Sequence, residues 1–487
     1  MSKFNANAVP AKSTVVYTRE GAIAYEKNPV DDWINVLCSS YLEDGYYTNK
    51  QELIERFLGL TDEVAMVYGY DFIAKAAMFA RDYLGMRSTS ELIAAWLNNK
   101  QFNAKRDFYT QFPCRPDDVA EMCGAIDFLG QKRSHAFVRG CATYLSSLGD
   151  YALGKYKMSG KEYNMYDLIN IMHPRSEAIN RYKMGTLAIP DTWETAISGS
   201  KTQEEKEANW MRLVEEKKLG YLALLRNLRN ILQCQNVNTL WIQKYLVPQI
   251  TAEAAICKSK VFPYQIYVAY AQIQKSAPLS VVAALEQAFL CACKNVPVLV
   301  GKTAIVLDVS GSMDSPISDK SVVSIKECGA VYAAMVYYAN PQVDFIKFGD
   351  RAKRIDLSQY KNSPFGLIAR MADNDNCGYG TQFDAALRIM YNDYDRILLI
   401  SDMQIMSPLR VMWWGSRFDV QHYQDYLARC AKQPVLYSFD LGNEGNQIVD
   451  SNIQDVFCLT ALSDKIFNIM YVLEQHGAIV SYIDSLY

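Results

Sequence analysis

The chain has 487 residues, half of them apolar and about a fifth charged. That is ordinary globular composition, long enough for more than one domain. Net charge is only −3, but residues 1–129 carry −5, residues 130–300 carry +8 and residues 301–487 carry −6. No apolar run approaches the ~18 residues of a membrane span, and Met1 to Val15 lacks the basic-then-apolar order of a signal peptide. The twelve cysteines form no framework: no Cys-x-x-Cys occurs, and Cys291 and Cys293 lie too close together for a zinc knuckle. Free thiols in a reducing, cytoplasmic compartment are the simple expectation, which disfavours a secreted protein.

From about residue 17 to 295 the pattern is helix after helix. Gln51–Leu60, Asp62–Leu84, Ser88–Asn98, Pro116–Leu129, Ala136–Leu148, Met165–Met172, Glu204–Lys218, Tyr221–Leu232 and Ser280–Asn295 repeat apolar residues at three- and four-residue spacing. Ser88 and Glu91 stand at capping-box spacing, and Gly130, Gly149 and Gly185 fall where helices should stop. Links are short and no alternating strand pattern stands out. Residues 1–298 therefore read as an all-α, HEAT-like solenoid of paired helices. The basic middle of this array suggests an anion-binding surface, with nucleic acid as the leading candidate and a plain solvated helix surface as the alternative.

Near residue 298 the pattern changes. Buried-strand runs Thr303–Leu307, Val343–Phe348, Arg396–Ile400 and Val435–Phe439 alternate with helical runs, so residues 299–487 read as a doubly wound α/β domain. The tail Asn452 to Glu474 looks helical, and the last residues after Ile479 could return to pack on the solenoid. The first strand runs into Asp308-Val309-Ser310-Gly311-Ser312, a carboxylate and two hydroxyls at spacing i, i+2, i+4. Thr381 follows in the loop Gly378-Tyr379-Gly380-Thr381, and Asp402 ends the strand run Arg396–Ser401. Oxygen ligands at the carboxyl ends of parallel strands suit a hard cation such as Mg²⁺.

These three pieces in this order resemble the metal-ion-dependent adhesion site of von Willebrand factor A domains. That resemblance implies that Ser310, Ser312 and Thr381 touch the metal, with Asp308 and Asp402 acting directly or through water. A degenerate A domain that keeps the turns and binds no metal is the alternative.

A helical array followed by an A domain is similar to the TROVE-module proteins, the Ro autoantigen family. Lys218-Leu219-Gly220-Tyr221-Leu222-Ala223-Leu224-Leu225-Arg226-Asn227-Leu228 resembles that family's "ALLRNL" helix, and Val261-Phe262-Pro263-Tyr264-Gln265-Ile266 its "hPFH" segment. Tyr17-Thr18-Arg19-Glu20-Gly21 and Tyr46-Tyr47 fit its amino-terminal part. The likeness runs from about residue 15 to 480. It implies a monomeric ring of HEAT-like repeats closed by the A domain. Small structured non-coding RNAs of Y type would bind a basic outer face, and single-stranded 3′ ends of misfolded RNA would enter a central hole. Bacterial members of the family work with exoribonucleases, notably polynucleotide phosphorylase.

The residues offer their own candidates for phosphate and base contacts. Lys132, Arg133 and Arg139 put positive charge at a helix start, where free backbone N–H groups also favour an anion. Lys155, Lys157 and Lys161, followed by His173 and Arg175, interleave cations with Tyr156, Tyr163 and Tyr166. This stretch resembles the family segment that touches Y RNA, best at Lys155, Lys157 and His173; the spacing around Lys161 departs from it. His173 could equally serve as a structural helix end. Arg226 and Arg229, three apart, share one helix face, either meeting phosphates or, for Arg226, pairing with a carboxylate between repeats.

No enzyme is expected. The four histidines stand at no metal spacing, and neither a Gly-x-Ser-x-Gly elbow nor a Walker-type loop is present. A Mg²⁺ with an open position captures a partner's carboxylate more simply than it activates water. The function expected is RNA quality control or processing. A metal-dependent protein-interaction scaffold and a Mg²⁺-dependent phosphodiesterase are the other readings.

Overall fold

The computed structural model describes residues 15–17, 23–26, 29–39, 50–156, 158, 162–188, 190–317, 321–340, 342–404, 420–442, 446–449, 455–460 and 465–486. They fall into two compact units. One comprises residues 1–60 with 220–482, the other residues 61–219 with 483–487. Helices dominate up to residue 295 and a mixed, mostly parallel sheet follows.

In the second unit, local caps set the helix ends. The Ser134 hydroxyl accepts the Phe137 N–H at 3.2 Å to start His135–Ser146, and Asn164 accepts from Tyr166 and Asp167 to start Met165–Met172. The spacing at Ser88 and Glu91 builds no such box. Ser88 lies inside the helix Ser88–Trp96, and Glu91 instead pairs with Arg87 at 3.3 Å. Arg87 also grips Asp117 and Asp118, while Arg81 holds Asp118 at 2.6 Å. The predicted break after Leu60 is also absent. The helix Lys50–Met78 runs through it and breaks at Gly69, whose φ of 80° only glycine adopts without strain. The terminal helix Ile479–Leu486 returns Asp484 to Lys75 at 3.0 Å.

The first unit is organised by a six-stranded sheet. We number the strands β1 Val15–Tyr17, β2 Ile23–Glu26, β3 Thr303–Asp308, β4 Val343–Phe348, β5 Ala352–Ile355, β6 Arg396–Ser401, β7 Val435–Asp440, β8 Asn446–Gln447 and β9 Val456–Thr460. The large sheet has order β5-β4-β3-β6-β7-β9, parallel except for β5 at one edge. β3 and β6 are buried at every residue, as strands covered on both faces must be. One face packs on Phe383, Ala386, Tyr423 and Tyr426, from the helices Phe383–Ile389 and Val420–Arg429. The other meets the helix Ile325–Ala339, which begins at a capping box: Ser324 Oγ accepts the Glu327 N–H and Glu327 Oε2 accepts the Ser324 N–H. Gly329 lets this helix lie close. A Cβ there would stand 2.8 Å from Leu307 Cδ1 and 3.0 Å from Ile400 Cγ2. Gly329→Ala should cost about 1–3 kcal/mol by overpacking; urea unfolding followed by circular dichroism checks it.

Two expectations are corrected here. The tail was expected to be helical from Asn452, yet β9 occupies Val456–Thr460 and the helix starts at Ile466. A short continuous apolar run does not distinguish buried strand from buried helix. The helical half was expected to lack strands, yet β1 and β2 form an antiparallel hairpin and β2 pairs with β8. The helix Pro29–Ser39 covers the far edge of the large sheet. Asn35 donates to Cys458 O at 2.7 Å and accepts the Thr460 N–H at 3.3 Å, closing β9 against edge pairing.

Candidate functional site

From β3 the chain crosses to β4 on one side and β6 on the other. The carboxyl end of β3 is therefore the switch point, where such sheets open a ligand crevice. Asp308 ends β3 and is fully buried. Its Oδ1 accepts the Ser310 N–H at 2.8 Å and its Oδ2 accepts the Ser401 hydroxyl at 2.7 Å. The Ser310 and Ser312 hydroxyls lie 3.3 Å apart. Asp402 directly follows β6; its Oδ1 accepts the Gln404 N–H at 3.1 Å, while its Oδ2 is buried with no hydrogen-bond partner. Burial, then the neighbouring Asp402 charge, pushes the Asp308 carboxyl up to about 7. Burial also raises Asp402, against the pull of the Ser312 hydroxyl and the Gln404 N–H, with Asp440 adding to the rise.

Thr381 is buried on the loop after Gly378, and the backbone ties that loop to the Asp308 loop. Gly311 N–H donates to Tyr379 O at 3.1 Å, and Asn374 Nδ2 donates to both Val309 O and Gly378 O at 2.8 Å. Asp308, Ser310, Ser312 and Asp402 thus form one cluster, with the Thr381 loop fastened to it. Two buried carboxylates, one of them with an oxygen that makes no hydrogen bond, and three hydroxyls make an all-oxygen set that fits a hard divalent cation. Gly349 permits the fastening: a Cβ there would stand 2.5 Å from Gly378 O and 3.0 Å from Cys377 O. Those neighbours are backbone, so Gly349→Ala must move the loop and should weaken Mg²⁺ binding measured by calorimetry.

Sequence reasoning missed Ser401, which donates to Asp308, and Asn374, which joins two loops. It also missed Asp440, a third carboxylate at the end of β7. Asp440 carried a readable signal, an apolar strand ending in an acid, the same one that picked out Asp402. Ser401 and Asn374 carried none, because their roles depend on loops far away in the chain.

The cationic candidates divide by their partners. In the second unit, Arg133 is engaged by Asp127 at 2.7 Å and by the Tyr163 hydroxyl at 2.5 Å. Lys155 lies 3.9 Å from Glu194 and over the rings of Tyr151 and Tyr156. Lys132, Arg139, His173 and Arg175 are exposed. His173 ends the helix Met165–Met172 in the left-handed region, φ 54°, and Arg175 N–H donates to Ser146 Oγ at 2.9 Å. Lys157 and Lys161 lie outside the described residues.

In the first unit, the helix Tyr221–Leu232 buries Leu224, Leu225, Leu228 and Ile231 and exposes Arg226 and Arg229. Its Asn227 is buried and donates to Ala223 O at 2.9 Å. Neither arginine makes an ion pair among the described residues. Lys218, which belongs to the second unit, is by contrast held by Asp191 and Glu216, 2.5 and 2.8 Å away.

Three comparisons bear on these residues. The TROVE domain family matches residues 156–280. That match covers about a quarter of the chain. No curated protein sequence matches it. Among solved structures it is similar to the Ro (RSR) protein of Deinococcus radiodurans. Identity is 15%, the TM-score is 0.65, and the match covers 93% of this chain and 100% of that one. The TROVE segment contains His173, Arg175, Arg226 and Arg229, while Lys132, Arg133, Arg139 and Lys155 precede it. All five metal candidates lie beyond its end. Among the described residues, no helix is long and apolar enough to cross a membrane.

Proposed function

We propose that this protein is of TROVE type and binds RNA in the manner of the Ro family, without cleaving it, as a monomer acting in cytoplasmic RNA quality control. The observation that carries the reading is the helix Tyr221–Leu232. It lies inside the TROVE segment and packs an apolar face, while presenting two arginines with no ion pair among the described residues. Unpaired guanidinium groups on a rigid helix suit phosphates, which dominate RNA affinity. Arg226 and Arg229 would meet an unpaired 3′ strand in the hole of a helical ring. Lys132, Arg139, His173 and Arg175 would meet a structured, Y-like RNA on a basic outer face. An exoribonuclease such as polynucleotide phosphorylase would then degrade the captured strand.

In the same reading, Asp308, Ser310, Ser312, Thr381 and Asp402 hold Mg²⁺. Once bound, that ion supplies positive charge and an open position for a partner's carboxylate. The protein's own contribution is orientation. Ser401 and the Ser310 N–H fix the Asp308 carboxylate, Gln404 N–H fixes Asp402, and Asn374 holds the two loops in register.

The deciding experiment titrates the purified chain against a misfolded RNA with a single-stranded 3′ tail and against its blunt-ended counterpart, at several salt concentrations. Salt-sensitive binding that prefers the tail and leaves the RNA intact supports the proposal. Failure to bind at moderate salt favours the scaffold reading, and shortening only with Mg²⁺ favours a phosphodiesterase.

A further inference from the structure

We propose that Glu253, Cys257 and Cys291 form a second metal site, one that takes a thiophilic divalent ion such as Zn²⁺. Glu253 and Cys257 stand one turn apart on the helix Glu253–Ser259, on one face. Cys291 comes from the helix Leu279–Ala292 packed against it. One ligand atom from each of the three lies within 4.8 Å of the other two. Around a tetrahedral Zn²⁺ with Zn–S near ~2.3 Å and Zn–O near ~2.1 Å, ligand atoms stand roughly 3.5–3.8 Å apart. The three atoms must therefore draw together by up to about 1 Å on binding.

Packing does not account for these thiols. Most cysteines of the chain are buried and behave as small apolar side chains, but Cys257 is exposed and Cys291 only half-buried. The carboxylate is available at little cost. Glu253 is held by Lys294 at 2.6 Å, a pair in which both side chains are more than 60% exposed (62% and 63%) and which contributes little. Burial, then the neighbouring Cys257, raises the Cys291 thiol, so metal and proton compete for it and the ion replaces protons as it binds.

Two sulfurs and one oxygen select a borderline-soft ion, whereas the all-oxygen cluster at Asp308 selects a hard one. Three protein ligands leave a fourth position for water or for a donor from a partner. A bound ion would clamp the two helices just before the chain leaves the helical array for β3. There Asn295 already donates to Val261 O at 2.7 Å.

The test uses the full chain, reduced and stripped of metal, with excess Mg²⁺ present. Co²⁺ is titrated first and Zn²⁺ afterwards. The expected result is a single equivalent of Co²⁺ with an intense near-ultraviolet sulfur-to-cobalt charge-transfer band that Zn²⁺ abolishes. Cys257→Ser and Cys291→Ser should each lose the band with unchanged circular dichroism, and Asp308→Ala should keep it. A wild-type chain with no band overturns the assignment, as does a band that survives either Cys substitution. Reduced protein that takes up no Co²⁺, and whose two thiols merely oxidise to a disulfide in air, also overturns it.

Discussion

Replacing Arg226 and Arg229 together by alanine should weaken binding of a 3′-tailed RNA roughly 10- to 100-fold, because a hydrogen bond to a charged group contributes about 1.5 kcal/mol or more. The salt dependence sharpens this expectation. Each phosphate contact to a single strand adds ~0.7 to the slope of log affinity against log salt, so losing two should flatten it by about 1.4. Stability should hold within ~0.5 kcal/mol, since both side chains are exposed and the buried face of Leu224, Leu225, Leu228 and Ile231 is untouched. Filter binding at several salt concentrations, with thermal melts alongside, measures all three quantities. Unchanged affinity and slope would remove this helix from the RNA contact. A large drop in melting temperature would mean that the arginines act structurally instead.

The second large effect reverses sign with the metal. Asp308 and Asp402 are buried carboxylates in one cluster, and without a cation they repel. Asp308→Asn keeps the size and the hydrogen bonds. Its carbonyl can accept the Ser310 N–H, and its amide can donate to a reoriented Ser401 hydroxyl. In a chelator-treated sample the variant should therefore be more stable than the wild type by about 1–4 kcal/mol, as is common when buried charge is replaced by a neutral group of similar volume. With Mg²⁺ at ~100 times its dissociation constant the wild type should gain about 2.7 kcal/mol, roughly 4 °C for a unit of this size, while the variant gains nothing. Differential scanning calorimetry of both proteins with and without Mg²⁺ gives the crossing directly. Equal Mg²⁺ responses would sink the assignment of Asp308 to a metal site.

The fold was legible wherever local pattern and burial agree. Periodic apolar spacing marked Tyr221–Leu232 to the residue, and the apolar runs at Thr303, Val343, Arg396 and Val435 are parallel strands of the sheet. Legibility failed where pairing is remote. β2 finds β8 more than 400 residues away, and β9 reads as helix because its neighbour β7 and its cover from Asn35 are invisible locally. Glu91 shows the same limit on a smaller scale: its spacing to Ser88 is that of a capping box, but the helix already includes Ser88 and Glu91 faces Arg87 instead.

The TROVE likeness and the oxygen-bearing loops at Asp308, Thr381 and Asp402 were determined by the sequence alone, since both depend on residue type at short spacing along the chain. Tertiary structure alone decided the rest. Asp402 Oδ2 is left without a partner, and Ser401 and Asn374 turn toward loops they could not have announced. Arg133 is spoken for by Asp127 while Arg226 carries no ion pair among the described residues. Charge on a sequence says only that a counter-ion is needed. Which group supplies it depends on distances of a few ångströms between residues tens to hundreds of positions apart, and only folding sets those.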